Sequence, residues 1–373
     1  MTIVFWAGVF VIGYAYLGYA LLLFLLAAQG SRSVRTAKYA GSVSVVLVVH
    51  NEVAVLDRKL KNLMALRYPS ERFEIVIVSD GSTDDTNELL VEYAEHPKVR
   101  VIVEPTQKGK AAGLNHALEV ASGGIIIFTD ARQYIEPDAI PALLASFADP
   151  EVGAVSGQLM LGHSESGEAG QGVGLYWKVE KLIRQLESKC SSTIGATGAF
   201  YAVRRELIVK LSADMILDDV YVPMHVLRQG YRVLFEAGAR AWDTPDQGIK
   251  REFARKVRTL TGIYQLVQFE PWLLSSRNPE RFGFVSHKLS RLLVPFALIA
   301  VLISSALLQG EVYRTALIIQ LVFYALSLWA LIGRKGGVLG RAADAAFTLV
   351  LLNTAALVAF GNFVGQRRVN WAR

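Results

Sequence analysis

The sequence predicts an α/β domain with a mostly parallel sheet, helices on both faces and transmembrane α-helices on both flanks. Three observations lead to this fold class. The chain of 373 residues is 52% hydrophobic, with a mean hydropathy of +0.33, which is more apolar than an ordinary soluble protein. Long uncharged runs lie near both ends, whereas charges are spread through residues 29–270. Within that central stretch, strand, turn and helix patterns alternate repeatedly.

The first uncharged run covers residues 3–28. A helix of this length crosses roughly 30 Å of hydrocarbon with some tilt. A signal peptide is the alternative, but it would carry a basic region before a shorter apolar core, and no charge precedes Ile3. We therefore predict a retained transmembrane helix over residues 1–28.

Further uncharged runs lie near the other end, at residues 292–310, 315–333 and 345–366. The last run is the weakest, because Asn353 and Asn362 interrupt it. Buried helices of a soluble domain are the alternative, but short charged links separate the runs. We predict three transmembrane helices over residues 292–366, followed by a basic tail, 367–373.

Lys and Arg (39) exceed Asp and Glu (33), which gives a net charge of +6. The basic residues beside the apolar runs are Arg32, Arg35, Lys38, Lys288, Arg291, Arg334, Lys335 and Arg341. This positive-inside pattern differs from a nucleic-acid-binding footprint. It predicts a multi-pass protein of the cell (inner) membrane with a cytoplasmic central domain. If all four runs span the membrane, the tail with Arg367, Arg368 and Arg373 would lie on the outer side. Either this basic tail is tolerated there, or the last run does not cross the membrane completely. The lone cysteine, Cys190, excludes an internal disulfide, as suits the cytoplasm.

The central domain, residues 29–267, begins with "VSVVLVV" (43–49), a continuous β-branched run typical of a strand buried on both faces. A helix follows, with leucines recurring on one face and Asn51 as a plausible N-cap. The next strand, "EIVIVSD", ends at Asp80, and Asp84 can cap the helix after it. "VRVIV" forms a third strand, a helix is entered through Gly109, and "GIIIFTD" forms a fourth strand ending at Asp130.

Polar side chains follow the predicted strands where each one ends. His50, Asn51 and Glu52 follow the first strand, and Asp80 and Asp130 close two others. Ligands of such sheets bind in the crevice beyond the carboxyl ends of the strands. The sequence contains neither G-x-G-x-x-G after the first strand nor G-x-x-x-x-G-K-[ST]. Dinucleotide oxidoreductases and P-loop enzymes are therefore disfavoured.

Two segments offer groups for a nucleotide. In "VSDGSTDD", Asp80 is placed to accept a hydrogen bond from a base or ribose, and the alternative is a turn or capping residue. We favour function for Asp80 and capping for Asp84. In "QKGKAAGLNHAL", Lys110 lies in the first turn of a helix, near Asn115, where the helix dipole and exposed N–H groups suit a phosphate. A plain surface lysine is the alternative.

Two acidic sites suggest metal and proton chemistry. Asp130 in "FTDAR" suits Mg²⁺ or Mn²⁺, because phosphate oxygens and water complete the coordination and one carboxylate suffices. Arg132 takes the place of a second carboxylate; it either pairs with Glu136 or solvent, or faces the diphosphate. Asp218 and Asp219 open a predicted helix, as dipole-stabilising caps or as a general base.

Six motifs occur in one order: "VVHNE", "SDGSTDD", "KGKAAGLNHAL", "FTDA", "GATGAFYAVRREL" and "LDDVYVPMHVLRQGYRV". This order resembles the family 2 inverting glycosyltransferases with the GT-A fold, over about residues 43–262. The flanking apolar runs are similar to those of the membrane-embedded chitooligosaccharide, hyaluronan and poly-N-acetylglucosamine synthases.

The resemblance implies a role for each matching residue. Asp80 matches the aspartate that binds the nucleotide base, and Lys110 the lysine near the diphosphate. Asp130 matches the first aspartate of the metal-binding D-x-D motif. Asp219 matches the catalytic base, the last residue of the acidic pair. Gly198, with the "GAFYAVRR" run, matches the segment that lines the acceptor entrance.

The sequence departs from the family pattern at two places. D-x-D is D-A-R here, and the Q-x-x-R-W motif of processive members corresponds to "RKVRT", Arg255 to Thr259. Arg258 keeps the arginine, which the resemblance places on the diphosphate, where it would stabilise leaving-group charge. Arg255 replaces the glutamine, and Thr259 replaces the tryptophan on which an acceptor sugar stacks. A single-addition transferase acting on a lipid-linked acceptor therefore fits as well as a processive synthase, or better.

We therefore expect transfer from a nucleotide sugar, with UDP as the expected nucleotide, to a hydroxyl of a lipid-linked or glycan acceptor, with Mg²⁺ or Mn²⁺ as cofactor. Residues 268–291, with Trp272, Phe282 and Phe284 among basic residues, predict an interfacial segment against membrane lipid; a plain linker is the alternative. The rival functions are a polyprenyl-phosphate sugar synthase, a sugar nucleotidyltransferase, and a non-enzymatic subunit that retains the fold. The oligomeric state is open.

Overall fold

A computed structural model describes residues 1–162, 174–244, 248–332 and 337–367. Near the N-terminus, α1 (Thr2–Gly13), a π-helical turn (Tyr14–Gly18) and α2 (Tyr19–Gln29) form one continuous helix. With a mean hydropathy of 2.2, this helix is long and apolar enough to cross a membrane. It matches the first predicted run.

The central part of the chain contains an eight-stranded sheet in the order β3-β2-β1-β4-β7-β6-β8-β5. Its strands are β1 (Val43–Val49), β2 (Phe73–Asp80), β3 (Val99–Glu104), β4 (Ile125–Thr129), β5 (Tyr134–Ile135), β6 (Val152–Leu161), β7 (Phe200–Arg204) and β8 (Arg232–Asp243). β1 pairs in parallel with β2 and β4, β2 with β3, and β6 with β8. β7 is antiparallel to β4 and β6, and β5 is antiparallel to β8. The predicted mostly parallel sheet is confirmed.

Helices cover both faces of this sheet. They are α3 (Val53–Met64), α4 (Thr86–Ala94), α5 (Lys110–Val120), α6 (Ala139–Leu144), α7 (Gly174–Cys190), α8 (Asp218–Arg228) and α9 (Ile249–Phe269). Val46 and Val48 of β1 belong to the same core as α5, whereas Val45 and Leu47 belong to the core of α3. Successive side chains of a strand point to opposite faces, so a strand buried on both needs an unbroken apolar run.

The C-terminal part consists of long apolar helices. α10 (Arg281–Gly283) continues through a π-helical turn (Phe284–Leu289) into α11 (Ser290–Leu307), and α12 (Glu311–Ile332) and α13 (Gly337–Val364) follow. With the N-terminal helix, four helices of the described residues are long and apolar enough to span a membrane. Four of the basic residues on which the predicted membrane orientation was based lie outside the described residues: Arg334, Lys335, Arg368 and Arg373.

The structure adds detail near residue 292, where the predicted interfacial segment meets the predicted membrane-spanning run. The apolar helix begins at Arg281, so the predicted interfacial stretch 268–291 includes its first turns. The remainder contains a short 3₁₀ helix, Pro271–Leu274, that packs on α8. There the Trp272 ring lies edge-on to His225, 5.9 Å between centroids, and 5.0 Å from the Arg228 guanidinium. Part of this stretch is thus anchored on the central domain.

Aromatic and polar contacts join the helical parts. Tyr264 of α9 stacks on Phe363 near the end of α13, with ring centroids 5.2 Å apart. Asn353, which weakened the last predicted run, donates hydrogen bonds to the Tyr16 hydroxyl and the Leu349 carbonyl, both at 2.8 Å. A polar side chain within an apolar helix is tolerated when its hydrogen-bonding groups are satisfied in this way.

Candidate active site

The turn after β1 is organised differently from the sequence prediction. Asn51 was expected as an N-cap, but α3 begins only at Val53, and Asn51 has a positive φ of 52°. Its side-chain oxygen accepts hydrogen bonds from the backbone N–H groups of Thr83 (2.7 Å) and Asp84 (3.3 Å). Asn51 thus joins the turn after β1 to the turn after β2.

Asp84 behaves as the predicted capping residue. One carboxylate oxygen accepts from the N–H of Thr86, the first residue of α4, at 3.1 Å. The other accepts from the N–H of Val53, the first residue of α3, at 3.3 Å. Asp84 therefore satisfies a free N–H group at the start of two helices.

Asp80 is placed otherwise than we predicted. Its side chain is fully buried, and its two oxygens accept from the backbone N–H groups of Lys108 (2.7 Å) and Gly109 (2.9 Å). His50 Nδ1 lies 2.7 Å from the Asp80 carbonyl oxygen. In this conformation Asp80 fixes the loop that leads into α5, and its carboxylate is withdrawn from the crevice. Gly81, with φ of 63°, is required here because a Cβ would overlap the Gln107 backbone.

Lys110 is the centre of the crevice. Its ammonium lies 3.0 Å from an oxygen of Asp130 and 3.3 Å from an oxygen of Asp218. Burial alone would lower the pKa of Lys110, but the carboxylates of Asp130 and Asp218 raise it above its ordinary value. Lys110 is thus held in the charged form, and it connects the end of β4 to the start of α8.

The acidic pair that opens α8 meets the loop before β7. Asp219 accepts a hydrogen bond from the Gly198 N–H at 3.1 Å, and its backbone carbonyl accepts one from the Ala196 N–H at 2.7 Å. Burial, followed by the negative charge of Asp218, raises the pKa of Asp219. A raised pKa brings a carboxylate nearer to the basicity that a general base needs at neutral pH. The predicted pair and Gly198 are therefore neighbours.

Arg132 is largely in solvent, as one of the alternatives had it, but it does not pair with Glu136. Its guanidinium lies 4.0 Å from Glu52, and its side chain is 56% exposed. Glu136, the expected partner, instead accepts a hydrogen bond from the Trp242 indole at 2.8 Å. Burial is the largest cause that raises the pKa of Glu52. The positive charge of Arg132 consequently faces the carboxylate that follows β1.

Three other predicted site residues lie on helices. Asn115 uses both ends of its amide on the backbone of Leu211, at 2.8 Å and 2.9 Å, so it fixes a neighbouring loop and is not free for substrate. Arg255 of α9 pairs with Glu252 and approaches Asp243 at 3.9 Å. Arg258, half-buried, lies on the same helix.

Sequence reasoning missed three buried polar residues around the crevice. Asp243 ends β8, and burial raises its pKa. Tyr201 of β7 is fully buried, and burial, then the charges of Asp218 and Asp219, raise its pKa well above the ordinary value. Lys59 is buried on the inner face of α3. Signals existed for two of them: Asp243 closes an apolar strand, and Lys59 interrupts the leucine stripe of its helix.

The donor groups of the crevice fit a divalent cation that is completed by phosphate oxygens. Asp130 offers a carboxylate that is 43% exposed. The second oxygen of Asp218 is buried without a hydrogen-bond partner of good geometry among the described residues. Within the same residues, no group of three or more His, Cys, Asp or Glu side chains forms a metal site on its own. Mg²⁺ and Mn²⁺ bound to a diphosphate need only one or two protein carboxylates.

Comparison with known proteins identifies the class. The glycosyl transferase family 2 model matches residues 44–212, the segment from β1 to the loop before α8. A mannosyltransferase from Pyrobaculum calidifontis, solved in complex with GDP-Man and Mn²⁺, superimposes with a TM-score of 0.75 over 98% of this chain and 99% of that chain, at 23% identity. The chain therefore resembles the family 2 glycosyltransferases over residues 44–212 and shares the GT-A fold, so the predicted resemblance is confirmed.

The chain is also similar to named synthases. It is 25% identical over 229 residues to the poly-beta-1,6-N-acetyl-D-glucosamine synthase of Staphylococcus aureus (strain COL), covering 60% of this chain and 55% of that protein. The synthase of the same name from Staphylococcus epidermidis is 24% identical over 234 residues, which is 62% of this chain and 56% of that protein. The chain thus spans about half the length of the curated relatives it matches.

Proposed function

We propose that this protein transfers a sugar from a nucleotide-sugar donor to a hydroxyl group of a lipid-linked or glycan acceptor, with inversion, in polysaccharide or glycolipid synthesis. The observation that carries the proposal is the position of Lys110 between Asp130 and the acidic pair Asp218–Asp219. The Lys110 ammonium contacts both Asp130, a carboxylate suited to a metal-bound diphosphate, and Asp218, the neighbour of the proposed base. Glycosyl transfer needs these two chemistries side by side.

In the proposed reaction, Asp219 accepts the proton of the acceptor hydroxyl as its oxygen attacks the anomeric carbon. The bond from that carbon to the diphosphate breaks on the opposite face, which inverts the configuration, and the nucleoside diphosphate leaves. The Gly198 N–H orients the Asp219 carboxylate through its 3.1 Å hydrogen bond. The raised pKa of Asp219 supports this role, because a weakly basic carboxylate would accept the proton poorly.

The diphosphate would be bound by cationic groups of the crevice. A Mg²⁺ or Mn²⁺ ion on Asp130 would supply positive charge for the departing diphosphate. Lys110 would turn from Asp130 toward the phosphates, and Arg132 and Arg258 would add charge from the two sides of the crevice. The related structure with GDP-Man and Mn²⁺ makes a guanine nucleotide the first donor to compare with the expected UDP-linked donor.

The proposed acceptor chemistry is a single addition. Thr259 occupies the position of the stacking tryptophan in the processive motif, and its hydroxyl donates to the Arg255 carbonyl of its own helix at 3.0 Å. A threonine turned back on its helix offers no flat apolar surface for a sugar ring. The synthase relatives elongate a polysaccharide by name, so product length separates the two outcomes.

The proposed membrane arrangement keeps the catalytic domain in the cytoplasm, where nucleotide sugars are made. Residues 1–28 and 292–366 would span the membrane, and Arg32, Arg35 and Lys38 would lie on the cytoplasmic side. Packing of α9 on α13 through Tyr264 supports an active site held close to the bilayer, where a lipid-linked acceptor is reached.

Asp219→Asn tests the function in the purified full chain. We expect thermal shifts with nucleoside diphosphates and Mn²⁺ like those of the unchanged protein, and transfer to a hydroxyl acceptor about 10²–10⁴-fold slower. Asp214→Asn is the matched control, since Asp214 is an exposed aspartate of the preceding segment. Full activity of Asp219→Asn would favour a polyprenyl-phosphate acceptor, because a phosphate already ionised needs no base. Absence of nucleotide binding and of turnover in the unchanged protein would indicate a non-enzymatic subunit.

A further inference from the structure

Helix α3 places two polar side chains in the core beneath the crevice. Lys59 and Asn62 are 2% and 6% exposed, although their neighbours on the buried face are Leu56, Leu60 and Leu63. Burying an ammonium group in an apolar core is unfavourable unless the group is hydrogen-bonded. A leucine or methionine at position 59 would complete the apolar stripe, so these two residues need an explanation other than packing.

Both side chains form hydrogen bonds with the segment that carries Asp130. We call residues 129–135 the Asp130 loop. Lys59 Nζ donates to the Thr129 hydroxyl (2.9 Å) and to the Gln133 carbonyl (2.8 Å). Asn62 donates to the Ile135 carbonyl and accepts from the Ile135 N–H, both at 2.8 Å. The loop is therefore held from beneath at its beginning, its middle and its end.

The hydrogen bonds of Lys59 are connected to the proposed general base, Asp219. The Thr129 hydroxyl, which accepts from Lys59, donates to the Ala199 carbonyl at 2.8 Å. Ala199 follows Gly198, whose N–H holds the Asp219 carboxylate. A chain of hydrogen bonds thus runs from Lys59 through Thr129 to the loop that orients Asp219, and it joins the two halves of the crevice.

The hydrogen bonds of Lys59 do not depend on its charge. Burial lowers the pKa of Lys59 to about 7, although the charge of Asp130 acts in the opposite direction. Lys59 makes two hydrogen bonds here, and a neutral amine still has two N–H groups to donate. Both hydrogen bonds from Lys59 to the Asp130 loop can therefore form at pH values above and below that pKa.

We propose that Lys59 and Asn62 are positioning residues that fix the Asp130 loop against the acidic pair and thereby set the affinity of the crevice for a divalent cation and a nucleoside diphosphate. This inference rests on the proposed donor site at Asp130. Neither residue contacts the substrate; both act through the backbone of the loop and the Thr129 hydroxyl. Groups that orient a metal ligand typically alter metal affinity about 10–100-fold when they are removed.

Lys59→Met in the full chain removes the hydrogen bonds to Thr129 and Gln133 and keeps a side chain of similar volume. We expect Mn²⁺ affinity, measured by electron paramagnetic resonance titration with UDP or GDP present, to fall about 10–100-fold. The donor KM should rise more than kcat falls, and amide hydrogen exchange should accelerate in residues 130–135. Lys61→Met is the matched control, because Lys61 is 68% exposed on the same helix and pairs with Asp57. It should leave Mn²⁺ affinity unchanged.

A second pair of variants keeps the proposal testable if Lys59→Met does not fold. Thr129→Val removes only the linking hydroxyl and should weaken Mn²⁺ binding, whereas Thr129→Ser retains the hydroxyl and should restore it. Unchanged Mn²⁺ affinity in folded Lys59→Met, or in Thr129→Val when Lys59→Met does not fold, overturns the inference while the proposed function stands. Failure of the unchanged protein to bind any nucleotide with Mn²⁺ overturns the proposed function itself, and the inference with it.

Discussion

Replacing Lys110 with methionine tests whether one buried cation holds the crevice together. The Lys110 side chain is 15% exposed and lies 3.3 Å from Asp218, which is 8% exposed. Methionine keeps the length of the side chain and its preference for helix, and it removes the ammonium group. The carboxylates of the crevice would then lose the positive charge between them.

The geometry sets the size of the effect. Two unit charges 3.3 Å apart attract by about 5 kcal/mol at an effective dielectric constant of about 20. Breaking a buried ion pair by removing one partner costs about 3–5 kcal/mol of unfolding free energy. For a domain of this size, a loss of that order lowers Tm by roughly 10 °C. Thermal unfolding of the purified chain in detergent measures it.

The loss should depend on pH. Lys110 lowers the pKa of Asp219, against the effects of burial and of Asp218, so its removal raises that pKa further. A carboxyl group whose pKa is higher in the folded than in the unfolded state stabilises the fold below its unfolded pKa, and this stabilisation is lost as pH rises through the folded pKa. The variant should therefore be closest to the unchanged protein at acidic pH. The acid limb of its pH–activity profile should also move to higher pH.

Lys108→Met is the control for this experiment. Lys108 lies in the loop that leads into α5, two residues before Lys110, is 53% exposed and pairs with Glu104. Removing an exposed partner of this kind costs about 0–1 kcal/mol. Equal Tm losses and equal pH profiles in the two variants would refute the central role assigned to Lys110.

Three further substitutions test the walls of the crevice. Arg132→Asp should raise the donor KM roughly fivefold and change the dependence of activity on Mn²⁺. Unchanged donor binding would show that Arg132 does not contribute to the donor site. Gly81→Ala should weaken nucleotide binding and lower the free energy of unfolding by about 1–3 kcal/mol, because φ is 63° and a Cβ would overlap the Gln107 backbone. Normal nucleotide binding in calorimetry would contradict this expectation. Gly198→Ala places a Cβ 3.3 Å from an Asp219 oxygen, so kcat should fall about tenfold with donor KM unchanged, and an unaltered kcat argues against the base.

Much of the fold follows from local patterns in the sequence. The run 43–49 has apolar residues at nearly every position, and it forms β1 with every residue buried. The ends of β2 and β4 were predicted at Asp80 and Asp130, close to where the strands stop. The position of β7 between β4 and β6 was not predictable, because "FYAVR" is apolar enough to pair in either direction and carries no signal for its partner.

The candidate site was predicted with mixed success, for a physical reason. Asp130, Asp218, Asp219 and Lys110 were named and do lie together, because strand ends and helix starts meet at one edge of a parallel sheet. Asp80 was named for the same reason, yet backbone N–H groups of a neighbouring loop bury its carboxylate. Which way a strand-end side chain turns depends on the loop that packs over it.

The sequence by itself determined the apolar helices and the first four long strands with the helices between them, because composition and periodicity act over a few residues at a time. The class of chemistry was predicted from the resemblance of six motifs to a known family. Only the tertiary structure decided the partners. Lys110 meets Asp218, Lys59 reaches Thr129, and Arg132 faces Glu52 across long separations in sequence. Coulomb energy and hydrogen bonding depend on distances of a few ångströms, and folding alone sets those distances.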